Sequence, residues 1–252
     1  MLKHSHSKKP DKKNDGATLP TQRAIPKYKT IIFDFDGTLF DSQQAIRNCI
    51  QLTFENFPDL PAPQEEFVHK ALQTGITLED TLSILGVHSP AIRLNMISCY
   101  RTTYEEVSSQ HEKPFTGTQS ILQQLHAQDY QLMVVSNKST RSVESALRTH
   151  HLHQYFSLIV GNTPGIAKKP NPSSFHKLVR PVLKPETLPS QVLMVGDTIA
   201  DIIYAQNIGT DSCWARYGYG QLETCQAYQP TYTIHTLTEL GQLFSLQQSI
   251  SC

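Results

Sequence analysis

Asp34 and Asp36 stand two residues apart at the end of the apolar run Thr30-Ile-Ile-Phe33 and are followed at once by Gly37. In an extended chain residues i and i+2 face the same side, so both carboxylates project together, and the glycine lets the chain leave the strand sharply. Like charges so close are costly unless a cation or a shared proton compensates. A second acidic group follows the run Val192–Val195, with Asp197 at the strand tip and Asp201 four residues on, along the same face of the next helix. A bare Asp-x-Asp is commonly turn chemistry, and Asp197 alone would serve as a helix cap. Neither reading explains three strand-end carboxylates on one sheet edge. Oxygen donors of this kind suit Mg²⁺, which takes one or two carboxylates, keeps several waters and meets phosphate oxygens.

Two further segments add to this set. Ser136-Asn137-Lys138-Ser139 places a hydroxyl and an amide at a helix N-terminus, a natural seat for an anion. In Lys168-Lys169-Pro170-Asn171-Pro172 the prolines hold the chain extended and aim a lysine at a fixed point. A carboxylate nucleophile, a nearby carboxylic acid, a divalent ion, a hydroxyl and a lysine are the kit for phosphoryl transfer through an aspartyl phosphate. The sequence has no Walker-type glycine loop, no kinase signature, no Gly-x-Ser-x-Gly elbow and no zinc-type histidine cluster. His150, His151 and His153 are spaced irregularly and read as surface or packing residues.

The elements that must position these groups alternate. Apolar strand-sized runs begin at Lys29 and recur at residues 131–136, 157–161, 191–196 and 212–215, with a shorter one at 232–234. Helix-length segments lie between and after them, at 119–128, 142–149, 173–183, 200–207 and 237–246. This rhythm predicts an α/β fold with a doubly wound parallel sheet. One interval breaks it: the stretch after the first strand reads as helices only, at 43–56, 64–72, 78–85 and 91–109. Thr77 with Asp80 resembles a capping box, and Ser89-Pro90 offers an N-cap followed by proline. The expected organisation is a tail over 1–28, a catalytic core over 29–42 and 113–252, and a smaller helical cap over 43–112 standing above the carboxyl edge of the sheet.

The chain has 252 residues, 38% hydrophobic and 17% charged, which excludes a disordered chain, a collagen and a coiled coil. No run reaches the roughly 18 apolar residues of a spanning helix. The Lys-rich start lacks the apolar segment of a secretory signal, so a cytoplasmic address is expected. Five cysteines without a Cys-x-x-Cys pair agree. Formal charge is zero, but residues 1–29 hold eight bases against Asp11 and Asp15. Without an aromatic or arginine pattern this arm reads as solvated, and nucleic acid is not expected as a partner.

The order Asp34-Phe35-Asp36-Gly37-Thr38, Ser136-Asn137, Lys169-Pro170-Asn171-Pro172 and Gly196-Asp197-Thr198-Ile199-Ala200-Asp201 resembles the four motifs of the haloacid dehalogenase (HAD) superfamily. Asp41-Ser42, Gly75, Tyr155-Phe156 and Tyr217-Gly218-Tyr219-Gly220 are similar to its phosphoglycolate phosphatase-like branch, which carries a helical cap after the first motif. The resemblance implies that Asp34 is nucleophile and Mg²⁺ ligand. It implies that Asp36 is the acid/base, with its backbone carbonyl on the metal, and that Asp197 completes the metal site. Lys169 would neutralise charge, and Asp201 would orient Lys169 or a metal-bound water. Thr38, Ser136 and Asn137, with the cap-loop residues Gly75, Ile76 and Thr77, are the expected substrate contacts. The true dehalogenases lack the second aspartate, so Asp36 points to a phosphatase acting on a small phosphorylated metabolite, phosphoglycolate-like or a sugar phosphate. A β-phosphoglucomutase-type phosphohexomutase is an alternative, although such mutases usually carry an arginine where Leu78 stands. A phosphonate-cleaving reading lacks its cap lysine in context. The contrasting class is a non-enzymatic HAD protein that binds a phospholigand or a partner; such proteins typically lose an acid, and every expected acid is present here.

Overall fold

The structure is a computed structural model and describes residues 27–244. In chain order it contains β1 (Thr30–Phe33), β2 (Phe40–Asp41), α1 (Gln43–Glu55), α2 (Glu65–Thr74), α3 (Leu78–Ile84), α4 (Pro90–His111), β3 (Lys113–Pro114), α5 (Thr118–Ala127) and β4 (Gln131–Ser139). There follow α6 (Thr140–Thr149), β5 (Leu158–Asn162), β6 (Val192–Gly196), α7 (Ile199–Ile208), β7 (Asp211–Ala215), α8 (Leu222–Ala227), β8 (Tyr232–Ile234) and α9 (Leu240–Leu243). Six strands form one parallel sheet in the order β5-β4-β1-β6-β7-β8. Register holds Phe33 level with Val134 and Val195, so the residues that follow β1, β4 and β6 emerge at one edge. That edge, on both sides of the central strand, is where open α/β sheets bind ligands.

Alternation along β1 explains the layering. Ile31 and Phe33 pack with Leu122, Leu125 and Leu147 on one face, while Ile32 packs with Met133, Phe175 and Tyr204 on the other. Helices α1–α4 enclose a core of their own, built on Ile50, Phe54, Val68, Leu82 and Met96. Thr77 and Ser89 cap α3 and α4, each accepting from a backbone N–H, and Pro90 opens α4. The two passages joining this helical segment to the sheet run side by side as the antiparallel pair β2 and β3, with Phe40 opposite Pro114 and Asp41 opposite Lys113.

Four sequence expectations need correction. Residues 173–183 do not form a regular helix; a π turn over Phe175–Val179 passes into a tight turn over Arg180–Val182. Pro181 lacks the N–H that would continue the ladder. Helix α8 was not anticipated, since Leu222–Ala227 has only one buried residue, Cys225, to set a period. Of the expected tail, residues 1–26 lie outside the described residues, but Lys27 pairs with Asp211 and Tyr28 is buried against Tyr232 and Phe244. The helix expected over 237–246 shows a tight turn and the short α9, and its last two positions lie outside the described residues. Among the described residues, no helix is long and apolar enough to cross a membrane.

Candidate active site

Asp34 leaves the end of β1 with its backbone still tied to the sheet, its N–H donating to the Val195 carbonyl at 2.8 Å. Its Oδ1 accepts from Lys169 Nζ at 2.7 Å, and the same ammonium donates to Asp201 Oδ1 at 2.6 Å. Asp201 is fixed in turn by the start of α7, where its Oδ2 accepts from the Thr198 N–H at 3.0 Å and the Thr198 hydroxyl at 2.9 Å. Asp197, fully buried, accepts from the Tyr219 N–H at 2.7 Å and the Thr38 hydroxyl at 3.2 Å. Gly37 makes this approach possible: its φ is +78°, and a Cβ there would fall 2.1 Å from Asp197 Oδ2.

Oxygens of Asp34, Asp197 and Asp201 lie within 4.8 Å of one another, all buried. One ammonium among three carboxylates leaves uncompensated negative charge. Burial pushes the Asp34 carboxyl up to about 7, against the pull of Lys169 and with the push of Asp201 and Asp36. Burial, then Asp201 and Asp34, push Asp197 well above the usual carboxylate range. Burial alone would favour a neutral Lys169, yet Asp201 and Asp34 hold its ammonium above the ordinary lysine value. Hard oxygen donors with surplus negative charge, wrapped around a glycine, fit a divalent cation.

A cavity of about 130 Å³ opens over these groups, lined on the core side by Asp34, Asp36, Ser136, Asn137 and Lys169. On the opposite side α1–α4 contribute Ile46, Ile50, Val68, Leu72 and Tyr100, with Gly75 and Ile76 on the α2–α3 loop and Leu78 at the start of α3. Arg101 is the only cationic side chain that the helical segment brings to this lining among the described residues. The loop touches the core directly. Gly75, at φ +63°, packs so close to Thr198 that a Cβ would meet its Oγ1 at 2.3 Å.

Asn137 fastens that contact. Its Nδ2 donates to the Gly75 carbonyl at 2.9 Å and to the Lys169 carbonyl at 3.1 Å, while its Oδ1 accepts from the Lys169 N–H at 3.0 Å. The sequence suggested an anion seat at this residue; its side chain holds loop and lysine together. Two expected substrate contacts are not brought to the cavity wall. The Thr77 hydroxyl is engaged as the α3 cap, accepting from the Asp80 N–H at 3.2 Å and donating to Asp80 Oδ2 at 2.7 Å. Thr38 is fully buried with its hydroxyl on Asp197.

Asp36 is held by Ser42, from the Asp41-Ser42 pair, and by Lys138, which the sequence did not single out for this role. Its Oδ1 accepts from the Ser42 hydroxyl and, at 2.8 Å, from Lys138 Nζ. Lys138 also reaches Tyr104 Oη at 2.6 Å and Glu112 Oε1 at 3.2 Å. Tyr219 closes the other flank, its hydroxyl accepting from the Ser42 N–H at 2.8 Å. The repeated Tyr-Gly of 217–220 was the available signal for Tyr219. Lys138 had none, because its partners come from α4, the α4–β3 junction and the end of β1.

An α/β sheet with this constellation at the carboxyl ends of its central strands defines a hydrolase core of the phosphatase type. The sequence matches the family described as haloacid dehalogenase-like hydrolase over residues 31–215, and the chain belongs to that family. It is 28% identical to a pyrophosphatase, PpaX, from Bacillus mycoides over 222 residues, covering 87% of this chain and 98% of that one. It is 29% identical to a phosphoglycolate phosphatase from Vibrio vulnificus over 225 residues, covering 87% and 96%. A solved haloacid dehalogenase-like family hydrolase from Streptococcus pneumoniae superposes with a TM-score of 0.75 at 24% identity, covering 87% of this chain and all of the other. The chain is therefore an enzyme, a HAD-type hydrolase of the phosphatase-like branch.

Proposed function

We propose that this enzyme is a Mg²⁺-dependent phosphatase that hydrolyses a small phosphorylated metabolite through an aspartyl phosphate on Asp34. The observation that carries the reading is the placement of Lys169 Nζ between Asp34 and Asp201, at 2.7 and 2.6 Å, beside a cluster of three buried carboxylates. Asp34 and Asp197, with the Asp36 main-chain carbonyl, would hold the ion, and Asp201 is close enough to contribute. The ion would supply positive charge to the phosphoryl oxygens.

In the first half-reaction an Asp34 carboxylate oxygen attacks phosphorus and the bond to the leaving oxygen breaks. Asp36 gives its proton to that oxygen, so the alcohol departs neutral and Asp36 is left as carboxylate. In the second, Asp36 takes a proton from water as the water oxygen attacks the phosphoaspartate, which frees Asp34 and inorganic phosphate. Lys169 offsets charge on nucleophile and phosphoryl group throughout, and Ser136 donates to a phosphoryl oxygen.

Residues 43–112 act as a cap that covers the site and excludes water from the phosphoaspartate. Among the described residues, the cap half of the cavity offers apolar side chains and one cation, Arg101, which suits a compact carbon-bearing leaving group better than a second bare phosphate. Leu78 makes part of this wall apolar where the mutases usually have arginine, so hydrolysis is favoured over mutase chemistry. The test is a panel holding phosphoglycolate, sugar phosphates and pyrophosphate, ranked by kcat/KM with and without Mg²⁺. An organic monoester should rank first and depend on the ion. Pyrophosphate in first place would overturn the leaving-group reading, and full activity in EDTA would overturn the metal.

A further inference from the structure

We infer that Lys138 is a positioning residue for acid catalysis: it fixes the Asp36 carboxyl against the cap helix α4, so that the proton-bearing oxygen is aimed at the leaving group. This rests on the acid/base role proposed above for Asp36. Lys138 is nearly buried, with a side chain 9% exposed, and its Nζ has three oxygen partners, one from the loop after β1 and two from α4 and its C-terminal end. Asp36 Oδ1 lies at 2.8 Å, Tyr104 Oη on α4 at 2.6 Å, and Glu112 Oε1 at the end of that helix at 3.2 Å. The Tyr104 hydroxyl donates onward to Glu112 Oε1 at 2.6 Å, which closes a ring of hydrogen bonds. The ammonium also lies 4.0 Å from the centre of the Tyr104 ring.

Two details give this arrangement a direction. Ser42 and Lys138 both bond Oδ1 of Asp36, and Oδ2 has no hydrogen-bond partner among the described residues. A carboxyl group gripped by one oxygen presents the other, so the transferable proton is confined to Oδ2. In addition, Tyr104 and Glu112 belong to the helical segment and its junction, whereas Asp36 belongs to the loop after β1 and Lys138 to the end of β4. The ring is complete only with α4 seated on the sheet, so acid catalysis is assembled by the same contact that closes the cavity. A charge left buried without its partner is strongly unfavourable, which makes the seated arrangement the one in which Lys138 is satisfied.

A leaving-group series separates this role from a merely structural one. Protonation of the leaving oxygen matters little when the alcohol is acidic and much when it is not. The full chain with Mg²⁺ is assayed for kcat/KM, which reports the steps up to phosphoenzyme formation, on p-nitrophenyl phosphate, phenyl phosphate and an alkyl phosphate. Lys138→Met should lose at least about ten times more on the alkyl ester than on p-nitrophenyl phosphate, a part of the roughly 10²–10⁴-fold that a general acid contributes. Lys138→Arg, which keeps the charge, should restore much of the difference. If Lys138→Met does not fold, Lys138→Met with Glu112→Gln removes one charge of each sign and should show the same slope. A uniform loss across the three esters, or none, would overturn the positioning role. Asp36→Asn is the control for the underlying reading: it should show the steepest slope of all, and a flat response there would remove Asp36 as the acid, whatever Lys138 does.

Discussion

Substituting Gly75 isolates the contact between the cap loop and the core. Gly75 closes α2 in the left-handed region, at φ +63° and ψ +26°. An alanine there costs about 1–2 kcal/mol in backbone strain wherever α2 is formed. Its Cβ would also fall 2.3 Å from Thr198 Oγ1. Thr198 cannot yield freely, because its hydroxyl and N–H both bond Asp201 Oδ2, at 2.9 and 3.0 Å, and Asp201 Oδ1 holds Lys169 at 2.6 Å. Displacing the loop instead gives up the Asn137 bond to the Gly75 carbonyl, worth about 1 kcal/mol. The strain falls on stability, whereas the lost docking bond, about 1 kcal/mol, falls on rate and amounts to about fivefold. Gly75→Ala should lose kcat/KM on an organic phosphate by that order and also some melting temperature. Gly75→Asn tolerates the left-handed backbone but carries the same Cβ, so it should lose kcat/KM while keeping Tm nearer to wild type. Unchanged kcat/KM in both folded variants would refute docking of the loop during turnover. A loss that follows Tm alone would assign the effect to strain and remove the Thr198 contact from the argument.

Other outcomes are equally specific. In EDTA, stability should fall as pH rises from about 4 through about 7. A carboxyl raised on folding, as burial raises Asp34, contributes below its unfolded pKa and loses that contribution as pH climbs through the folded one; Mg²⁺ should flatten the curve, and a pH-independent Tm in EDTA would contradict the charge account. Asp201→Asn should cost at least about tenfold in kcat and lower Tm, since it leaves the buried Lys169 with Asp34 alone. Circular dichroism melts should show no change on deleting residues 1–26. Deleting 1–28 should lower Tm, because Tyr28 is buried and donates to Asp211 at 2.5 Å.

What could be read from the sequence follows from how local each signal was. Runs such as Val192–Val195 announced strands because both faces of the sheet are covered, and the acids directly after them needed only the parallel register to meet. Helices α1–α4 were marked by local chemistry, a Thr77 cap and a Ser89-Pro90 start. Lys138 was unreadable because a lysine in a Ser-Asn-Lys-Ser loop is ordinarily solvated, and only tertiary contact surrounds it with Tyr104, Glu112 and Asp36. Thr77 misled in the other direction: the hydroxyl that makes a good cap is thereby taken from the cavity. The irregular turn over 175–182 was concealed by an apolar period that Pro181 overrides.

The central claim is that Asp34 carries the phosphoryl group. Its most direct test is acid quench of the enzyme during turnover of an organic phosphate in Mg²⁺, followed by intact mass measurement and fragmentation. The account predicts one phosphoryl adduct, located on Asp34 and absent from Asp34→Asn, with accumulation in Asp36→Asn if dephosphorylation slows more than attack. An adduct on a serine, threonine or histidine, or steady turnover in Asp34→Asn, would contradict it.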